Sequence, residues 1–195
     1  MTMVRCNQDW NVSGMSEDHD PRVGELLADG MRQVMRHVPA TTMVITTAVD
    51  GAPHGMTATA FLPVSLAPPS VMIAVNRSAS IYPVLTRRRA FAVNVLSLGA
   101  DAVARAFSDT RLAHEERFAC GPWYWHDREL PILCQARAAL VCDVEIETVH
   151  GTHALFLGAV RAVVNDAEGQ PALLYFNGAF ASLGSLEVER PARLS

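Results

Sequence analysis

Two long runs of hydrophobic and β-branched residues decide the fold: ILCQARAALVCDVEIETV at residues 132–149 and THALFLGAVRAVV at residues 152–164. β-Branched and aromatic residues favour extended strands over helices. Only a short link through Gly151 separates the runs, and such short links join neighbouring antiparallel strands. The two runs therefore predict a long β-hairpin.

Further elements extend outward from this hairpin towards both ends of the chain. Patterns rich in Thr, Val and Ile predict strands at residues 41–49, 56–62, 71–75, 90–96 and 173–176. Asp50-Gly51 predicts a tight turn, and Pro63 predicts a strand end or a sheet edge. Helices are predicted at residues 21–38, 80–88 and 101–107, with residues 111–130 irregular. This content predicts a mainly β protein with short peripheral helices, its sheet curled into a barrel.

Composition limits the function classes. The 195 residues are 50% hydrophobic and 18% charged, with a formal net charge of −4, which suits one globular domain. Dispersed charge argues against nucleic acid as a partner, and no apolar run reaches the ~20 residues of a membrane helix. Four cysteines form neither C-x-x-C nor a zinc pattern, which favours the reducing cytoplasm. Polar residues 1–20 predict a disordered or extended tail before a domain at residues 21–190.

The sequence lacks the common nucleotide-binding and hydrolase motifs. G-x-G-x-x-G after a strand, a P-loop, G-x-S-x-G and H-E-x-x-H are all missing. A nucleotide bound by this chain would therefore be held by other devices.

The first candidate binding segment is Gly55-Met56-Thr57-Ala58-Thr59-Ala60-Phe61, which leads to Ser65. Small residues let a flat ring approach the main chain, and the Thr and Ser hydroxyls donate or accept hydrogen bonds. The segment indicates either a flavin-binding edge or an ordinary Thr/Ala-rich edge strand.

The second candidate is Asn76-Arg77-Ser78-Ala79-Ser80, predicted to lie at a helix start. Helix N-termini attract anions, and Arg77 with the two serine hydroxyls would add donors for a flavin phosphate. The alternative is that Ser78 or Ser80 simply caps the helix.

Asn94 is an amide within the apolar strand Phe91-Ala92-Val93-Asn94-Val95-Leu96. A buried amide needs hydrogen-bond partners. A flavin edge and a neighbouring loop carbonyl are the two alternatives.

Gly151-Thr152-His153 stands at the rim of the long hairpin. His153 could contact a nicotinamide or could be a plain surface histidine. His150-x-x-His153 would suggest a metal, but residues three apart on a strand face opposite sides, so no metal site is predicted.

Arg117-Phe118 lies in the irregular segment. Arginine can bind a phosphate and phenylalanine can cover a ring, although local packing explains both equally well.

Taken in order, these segments resemble the flavin reductase-like family with an FMN-binding split barrel. The resemblance spans about residues 31–180. It is carried by Val44-Ile45-Thr46-Thr47, Asp50-Gly51, His54-Gly55-Met56-Thr57-Ala58-Thr59-Ala60-Phe61, Ser65-Leu66-Ala67-Pro68-Pro69, Phe91-Ala92-Val93-Asn94-Val95-Leu96, Arg117-Phe118, His153 with Leu155-Phe156-Leu157-Gly158, and Leu173-Leu174-Tyr175-Phe176-Asn177-Gly178.

The resemblance implies a homodimeric split β-barrel and the following contacts. Flavin contacts would come from Thr57, Thr59, Ala60, Phe61, Leu62, Pro63, Ser65, Asn76, Arg77, Ser78, Ser80, Asn94, Arg117 and Phe118. Contacts to the nicotinamide cofactor would come from His153, Phe176, Asn177, Gly178 and Ala179, with His153 as the catalytic residue. The family commonly has G-D-H where this chain has Gly151-Thr152-His153.

The activity implied is an NAD(P)H:flavin oxidoreductase that reduces FMN or FAD with NADH or NADPH and supplies reduced flavin to a partner monooxygenase. Three alternatives stay open at this point. They are a split-barrel enzyme with tightly bound FMN and its own substrate, a flavin-binding or flavin-storage module without reductase activity, and a barrel that binds haem or another flat cofactor.

Overall fold

The computed structural model describes residues 21–127, 129–165 and 171–182, which form four α-helices and twelve β-strands. The helices are α1 (Pro21–Arg36), α2 (Tyr82–Arg88), α3 (Asp101–Ser108) and α4 (His114–Phe118). The strands are β1 (Ala40–Thr41), β2 (Met43–Val49), β3 (Ala52–Ala58), β4 (Phe61–Leu66), β5 (Pro69–Asn76), β6 (Ala90–Val95), β7 (Trp123–His126), β8 (Leu130–Leu133), β9 (Ala138–His150), β10 (His153–Asn165), β11 (Leu173–Phe176) and β12 (Ala179–Ser182). The mainly β prediction is confirmed. The predicted tail at residues 1–20 lies outside the described residues.

The largest sheet has seven antiparallel strands in the order β3-β2-β6-β9-β10-β5-β4. The predicted hairpin is confirmed as β9 and β10, which are 13 residues each and turn through Gly151 at φ +55°. β9 begins at Ala138 rather than at residue 132, because the preceding residues form β8 and pair with β7 instead.

Alternation along the strands separates an interior face from an outer face. On β5, Val71, Ile73 and Val75 are buried, whereas Met72 and Ala74 are partly exposed. The inward residues pack with buried side chains of the neighbouring strands, including Ile45, Phe91 and Phe156. The outer face of β5 is therefore available to form a surface.

The sheet is open at β3 and β4, which are the two ends of its order. The residues between them, Thr59 and Ala60, are exposed. Pro63 lies on the edge strand β4 beside a register shift, as predicted, because proline lacks the N–H that an inner strand would need. This opening between the first and last strands of the sheet order matches the predicted split barrel.

Smaller elements flank the sheet. β1, β11 and β12 form a three-stranded sheet, and β7 with β8 forms a two-stranded ribbon. The prediction that residues 111–130 are irregular is wrong, since they contain α4 and β7. The aromatic rings of Phe107, Phe118 and Trp123 pack together, with centroids 4.9–5.2 Å apart, and hold α3, α4 and β7 against one another.

The chain divides into two compact units between His37 and Val38. α1 belongs to the first unit, and its start at Pro21 is as predicted. Its apolar side chains are exposed, with Leu26 at 72% and Met31 at 67%. Among the described residues, no helix has both the length and the apolar character needed to cross a membrane.

Candidate functional site

Three of the predicted binding segments meet on one face of the large sheet. β4, β5 and β10 are neighbours, and the Ala74 N–H donates to the Ala60 carbonyl at 3.3 Å. In the β5–β10 ladder, Ala74 lies opposite Leu155 and Asn76 lies opposite His153. Residues directly opposite each other on paired strands share a face. The barrel opening beside Ala60 and His153, the predicted contact to the nicotinamide, therefore lie on the same side of the sheet.

A shallow depression of about 200 Å³ lies on this face. Its lining is almost entirely apolar and consists of Ala60, Phe61, Leu62, Met72, Ile73, Ala74 and Leu155. The two alanines keep the floor low, so a flat ring can approach the strands closely. Asn76 and His153 form the next opposed pair on this face of the same two strands. The depression therefore has an apolar floor, with the polar side chains of Asn76 and His153 at its rim.

Sequence reasoning missed the floor residues Met72, Ala74 and Leu155. The alternating burial pattern of β5 carries the signal, since residues 72 and 74 share the outer face with Asn76. Their role depends on which strands flank β5, and a single strand pattern does not give that.

The other residues of the Thr59-to-Ser65 segment lie along the sheet edge. Thr59, Leu62 and Pro63 are exposed, and Phe61 packs partly buried against the barrel core. The Ser65 hydroxyl accepts a hydrogen bond from the Ala67 N–H at 3.0 Å within the β4–β5 turn. Thr59 thus stands beside the depression, whereas Ser65 is already used by the turn.

The Asn76-to-Ser80 segment is a turn rather than a helix start. α2 begins only at Tyr82, with Ile81 as N-cap and no side-chain capping bond, so neither predicted serine caps it. Instead the Asn76 Oδ1 accepts hydrogen bonds from the Ser78 N–H at 2.9 Å and the Ser78 hydroxyl at 2.8 Å. The Asn76 amide fixes the turn and leaves the side chains of Arg77 and Ser80 exposed.

The hairpin tip joins this turn directly. The Arg77 N–H donates to the Thr152 carbonyl at 2.9 Å, and the Thr152 Oγ1 lies 2.9 Å from the His153 Nδ1. His150 and His153 are opposed across the two-residue turn. The expectation that they face opposite sides is therefore wrong, because the chain reverses direction between them.

Shared orientation of two histidines does not by itself make a metal site. In the part of the chain that the structure describes, no group of three or more His, Cys, Asp or Glu side chains is placed to hold a metal ion.

Asn94 is fully buried on the face of β6 that packs under β8, opposite the barrel core. Its Nδ2 donates to the Val44 carbonyl and the Thr46 hydroxyl, both at 3.1 Å, and its Oδ1 accepts from the Leu133 N–H at 2.9 Å. The structure corrects the predicted flavin contact, since protein groups satisfy this amide and no surface exposes it. Its role is to join β6 to β2 and β8.

A second group of predicted residues lies around α3 and α4. The Thr57 hydroxyl donates to the Ala104 carbonyl at 2.6 Å. The buried Arg117 donates from Nη1 to the Gly55 carbonyl at 3.3 Å, and Phe118 belongs to the aromatic cluster with Phe107. These side chains are engaged in packing helices against β3.

The predicted turn of Phe176, Asn177, Gly178 and Ala179 is the β11–β12 connection. Asn177 and Gly178 have φ of +49° and +80°, which suits a two-residue hairpin turn. β11 and β12 pair with β1 in a separate sheet, so strand pairing does not place this turn beside His153.

Two histidines are in contact between β3 and α4. The rings of His54 and His114 are 4.2 Å apart between centroids. Burial is the main cause that lowers the pKa of both side chains. The neighbouring His114 lowers the pKa of His54 further, and the Arg117 charge lowers the pKa of His114 further. The opposing effect of the Glu115 charge is the smallest of the three on each histidine.

We expect the protein to lose stability as the pH falls from about 7 to 5. The folded state disfavours protonated His54 and His114, so the unfolded state binds more protons below the ordinary histidine pKa of ~6.5. Thermal unfolding across this range measures the effect. His114→Gln should flatten the dependence, and a slope equal to that of the wild type would contradict the assignment.

Comparisons with known proteins agree with this architecture. A family model described as "Flavin reductase like domain" matches residues 35–184. The reductase component of an FADH(2)-dependent resorcinol hydroxylase from Rhizobium sp. is 36% identical over 160 residues, covering 81% of this chain and 88% of that protein. An FMN reductase (NADH) from Klebsiella variicola is 31% identical over 159 residues, covering 80% and 96%.

Among solved structures, the Streptomyces globisporus NADH:FAD oxidoreductase in complex with NAD and FAD fragments superposes with a TM-score of 0.75. It is 30% identical and covers 87% of this chain and 98% of its own. Three observations agree on the family. They are the seven-stranded antiparallel sheet open between β3 and β4, the family match over most of the chain, and relatives above 30% identity. The chain belongs to the flavin reductase-like domain family.

Proposed function

We propose that this protein is an NAD(P)H:flavin oxidoreductase that reduces FMN or FAD by hydride transfer and supplies the reduced flavin to a partner monooxygenase. The observation that carries the proposal is the apolar depression on β4, β5 and β10, with His153 and Asn76 at its rim. The names of the relatives support it, since they pair FMN or FAD with NADH and describe a hydroxylase component.

In this proposal the flavin ring lies over the depression. Ala60, Ala74 and Leu155 supply an apolar floor that excludes water from one ring face, and the Thr59 hydroxyl is available to the ring's polar edge. The bound flavin supplies the hydride-accepting chemistry. The protein's contribution is to stack and align the two partners, with His153 beside the nicotinamide.

The deciding experiment measures NADH consumption by the purified protein with FMN, FAD, riboflavin or no added flavin. We expect turnover that depends on added flavin and falls at least tenfold in catalytic efficiency for NADH in His153→Ala, with flavin affinity retained. Flavin binding without NADH oxidation would instead favour a storage module. Turnover that ignores added flavin but requires an organic substrate would favour a self-contained enzyme, and a haem spectrum would overturn the flavin proposal.

Arg77 is the proposed contact to the flavin phosphate. Its main chain is fixed by the bond to Thr152, while its guanidinium is exposed beside the Asn76 turn. We expect Arg77→Ala to weaken FMN binding about tenfold, as for loss of one charge-assisted hydrogen bond, and to leave riboflavin binding unchanged. Fluorescence titration with both flavins is the measurement, and Arg87→Ala, on α2, is the matched control. Equal losses for FMN and riboflavin would remove Arg77 from the phosphate site.

We also propose a homodimer whose interface adjoins the depression on the outer face of the large sheet, so that Leu62 and Met72 border both. Leu62, Met72, Leu157 and Ile146 are opposed in turn across β4, β5, β10 and β9 and form one apolar row. Leu62 is 56% exposed and Ile146 is 54% exposed. A continuous apolar row across four neighbouring strands is typical of a buried interface, and a second copy presents the same row.

The dimer is tested by Ile146→Lys. A lysine at the end of the row would place a charge in the interface, so we expect a shift from dimer to monomer at micromolar concentration in light scattering. Val163→Lys, at a 64% exposed position on β10 away from the row, should leave the dimer intact. A wild-type monomer, or a dimer that tolerates lysine at residue 146, would contradict the interface.

The domain limits and the location follow from the same function. We place the reductase domain at residues 21–190, which includes the matched family region at residues 35–184. We place the protein in the cytoplasm, where a reduced nicotinamide pool is present. Free thiols at Cys120, Cys134 and Cys142 are compatible with that reducing compartment.

A further inference from the structure

The tip of the β9–β10 hairpin holds the imidazole of His153 from one side. The Thr152 Oγ1 lies 2.9 Å from the His153 Nδ1. Imidazole has two ring nitrogens, and which of them carries the proton depends on the hydrogen bond that the other makes. With Nδ1 engaged by the hydroxyl, Nε2 is the nitrogen left to meet a ligand at the rim of the depression.

Thr152 is itself fixed from a second direction. Its carbonyl accepts the Arg77 N–H at 2.9 Å, and Gly151 at φ +55° sets the turn that precedes it. The hydroxyl therefore stands on a main chain that is tied to the Asn76 turn, although both side chains at the tip are exposed. Such an anchored partner restricts the orientations of the ring more than water does.

We propose that Thr152 is a positioning residue: its hydroxyl holds His153 so that Nε2 faces the nicotinamide side of the site. The proposal rests on the reductase function proposed above. Because the threonine hydroxyl is uncharged, it orients the ring without the electrostatic stabilisation of imidazolium that a carboxylate would add. His150, opposite His153, and Arg77, joined to Thr152 through its N–H, are two further ionisable residues near this ring.

Two variants of Thr152 distinguish its effect on the orientation of the His153 ring from a general effect on folding. Thr152→Val keeps the β-branched shape and removes the hydroxyl, whereas Thr152→Ser keeps the hydroxyl. We expect Thr152→Val to lower kcat/KM for NADH about 3- to 10-fold, in line with one neutral hydrogen bond, while the Kd for FMN stays within about twofold. Thr152→Ser should restore most of the loss. A wild-type value in Thr152→Val, or an equal loss in both variants, would overturn the proposal.

A second measurement does not depend on turnover. Nitrogen-15 NMR of the histidine rings, with His153→Ala used for assignment, reports the tautomer and the protonation of His153 across pH 5.5 to 8.5. We expect Thr152→Val to change the tautomer ratio of His153, and Thr152→Asp to shift its protonation to higher pH. Unchanged ring signals in Thr152→Val would disprove positioning even if that variant oxidised NADH more slowly than the wild type. If wild-type protein failed to oxidise NADH but the ring signals responded, the reductase function would fail and the Thr152 contact would stand.

Discussion

Gly158→Val should lower the free energy of unfolding of the barrel by about 2 to 3 kcal/mol, within the range for overpacked cores. A Cβ at residue 158 would lie 2.6 Å from Cζ and 2.7 Å from Cε1 of Phe91, and 2.9 Å from Cβ of Cys142. Phe91 is fully buried and packed among the inward residues of the barrel, so its ring has no free space to enter. Cys142 offers no relief either, because its Cβ moves only with the backbone of β9.

Urea unfolding followed by circular dichroism gives the measurement. Gly158→Ala should show a smaller loss in the same direction, since it adds the clashing Cβ without the two methyl groups of valine. Gly30→Ala is the matched control on α1, where an added Cβ meets nothing within 4 Å and alanine favours the helix. An unchanged unfolding midpoint for Gly158→Val would show that β10 can shift at this point, where its register with β9 already changes between Leu157 and Gly158.

Local patterns in the sequence predicted the parts of the fold that local chemistry determines. Asp50-Gly51 forms the β2–β3 turn with φ of +51° and +79°, and Pro63 lies on an edge strand, as expected. α4 and β7 were not predictable in the same way. Each has five or fewer residues, too few for a clear periodicity, and both are stabilised by the cluster of Phe107, Phe118 and Trp123, which tertiary packing assembles.

For the site, the sequence identified residues by type but not by the face they occupy. Thr57 and Thr59 look equivalent in the run, yet Thr57 bonds to the Ala104 carbonyl while Thr59 is exposed at the barrel opening. Asn94 fits the family pattern, but it is buried between β6 and β8 and its amide bonds to β2 and β8. The face that a residue occupies depends on which strands lie beside its own. Only the strand order β4–β5–β10 brings Thr59, the Asn76 turn and His153 to the same part of the sheet.

Ala74→Leu is the sharpest test of the proposed flavin position over the depression. Ala74 lies on the outer face of β5 between Ala60 and Leu155, so a leucine there projects into the depression rather than into the core. Three added carbon atoms would raise the floor of a cavity of about 200 Å³ and separate a flat ring from the strands. We expect the Kd for FMN to rise at least about tenfold, since filling a packed contact costs ~1–3 kcal/mol.

The fold should be unaffected, because Ala74 is on the outer face of β5 and the added atoms do not enter the barrel core. Ala159→Leu, at a half-buried position of β10 outside the depression, is the matched control and should bind FMN like the wild type. Fluorescence titration with FMN gives the Kd, and thermal unfolding checks that both variants are folded. Unchanged FMN affinity in a folded Ala74→Leu protein would mean that the flavin lies elsewhere. The functions assigned to Thr59, Arg77 and His153 would then have to be abandoned together, because all three depend on a ring seated over Ala74.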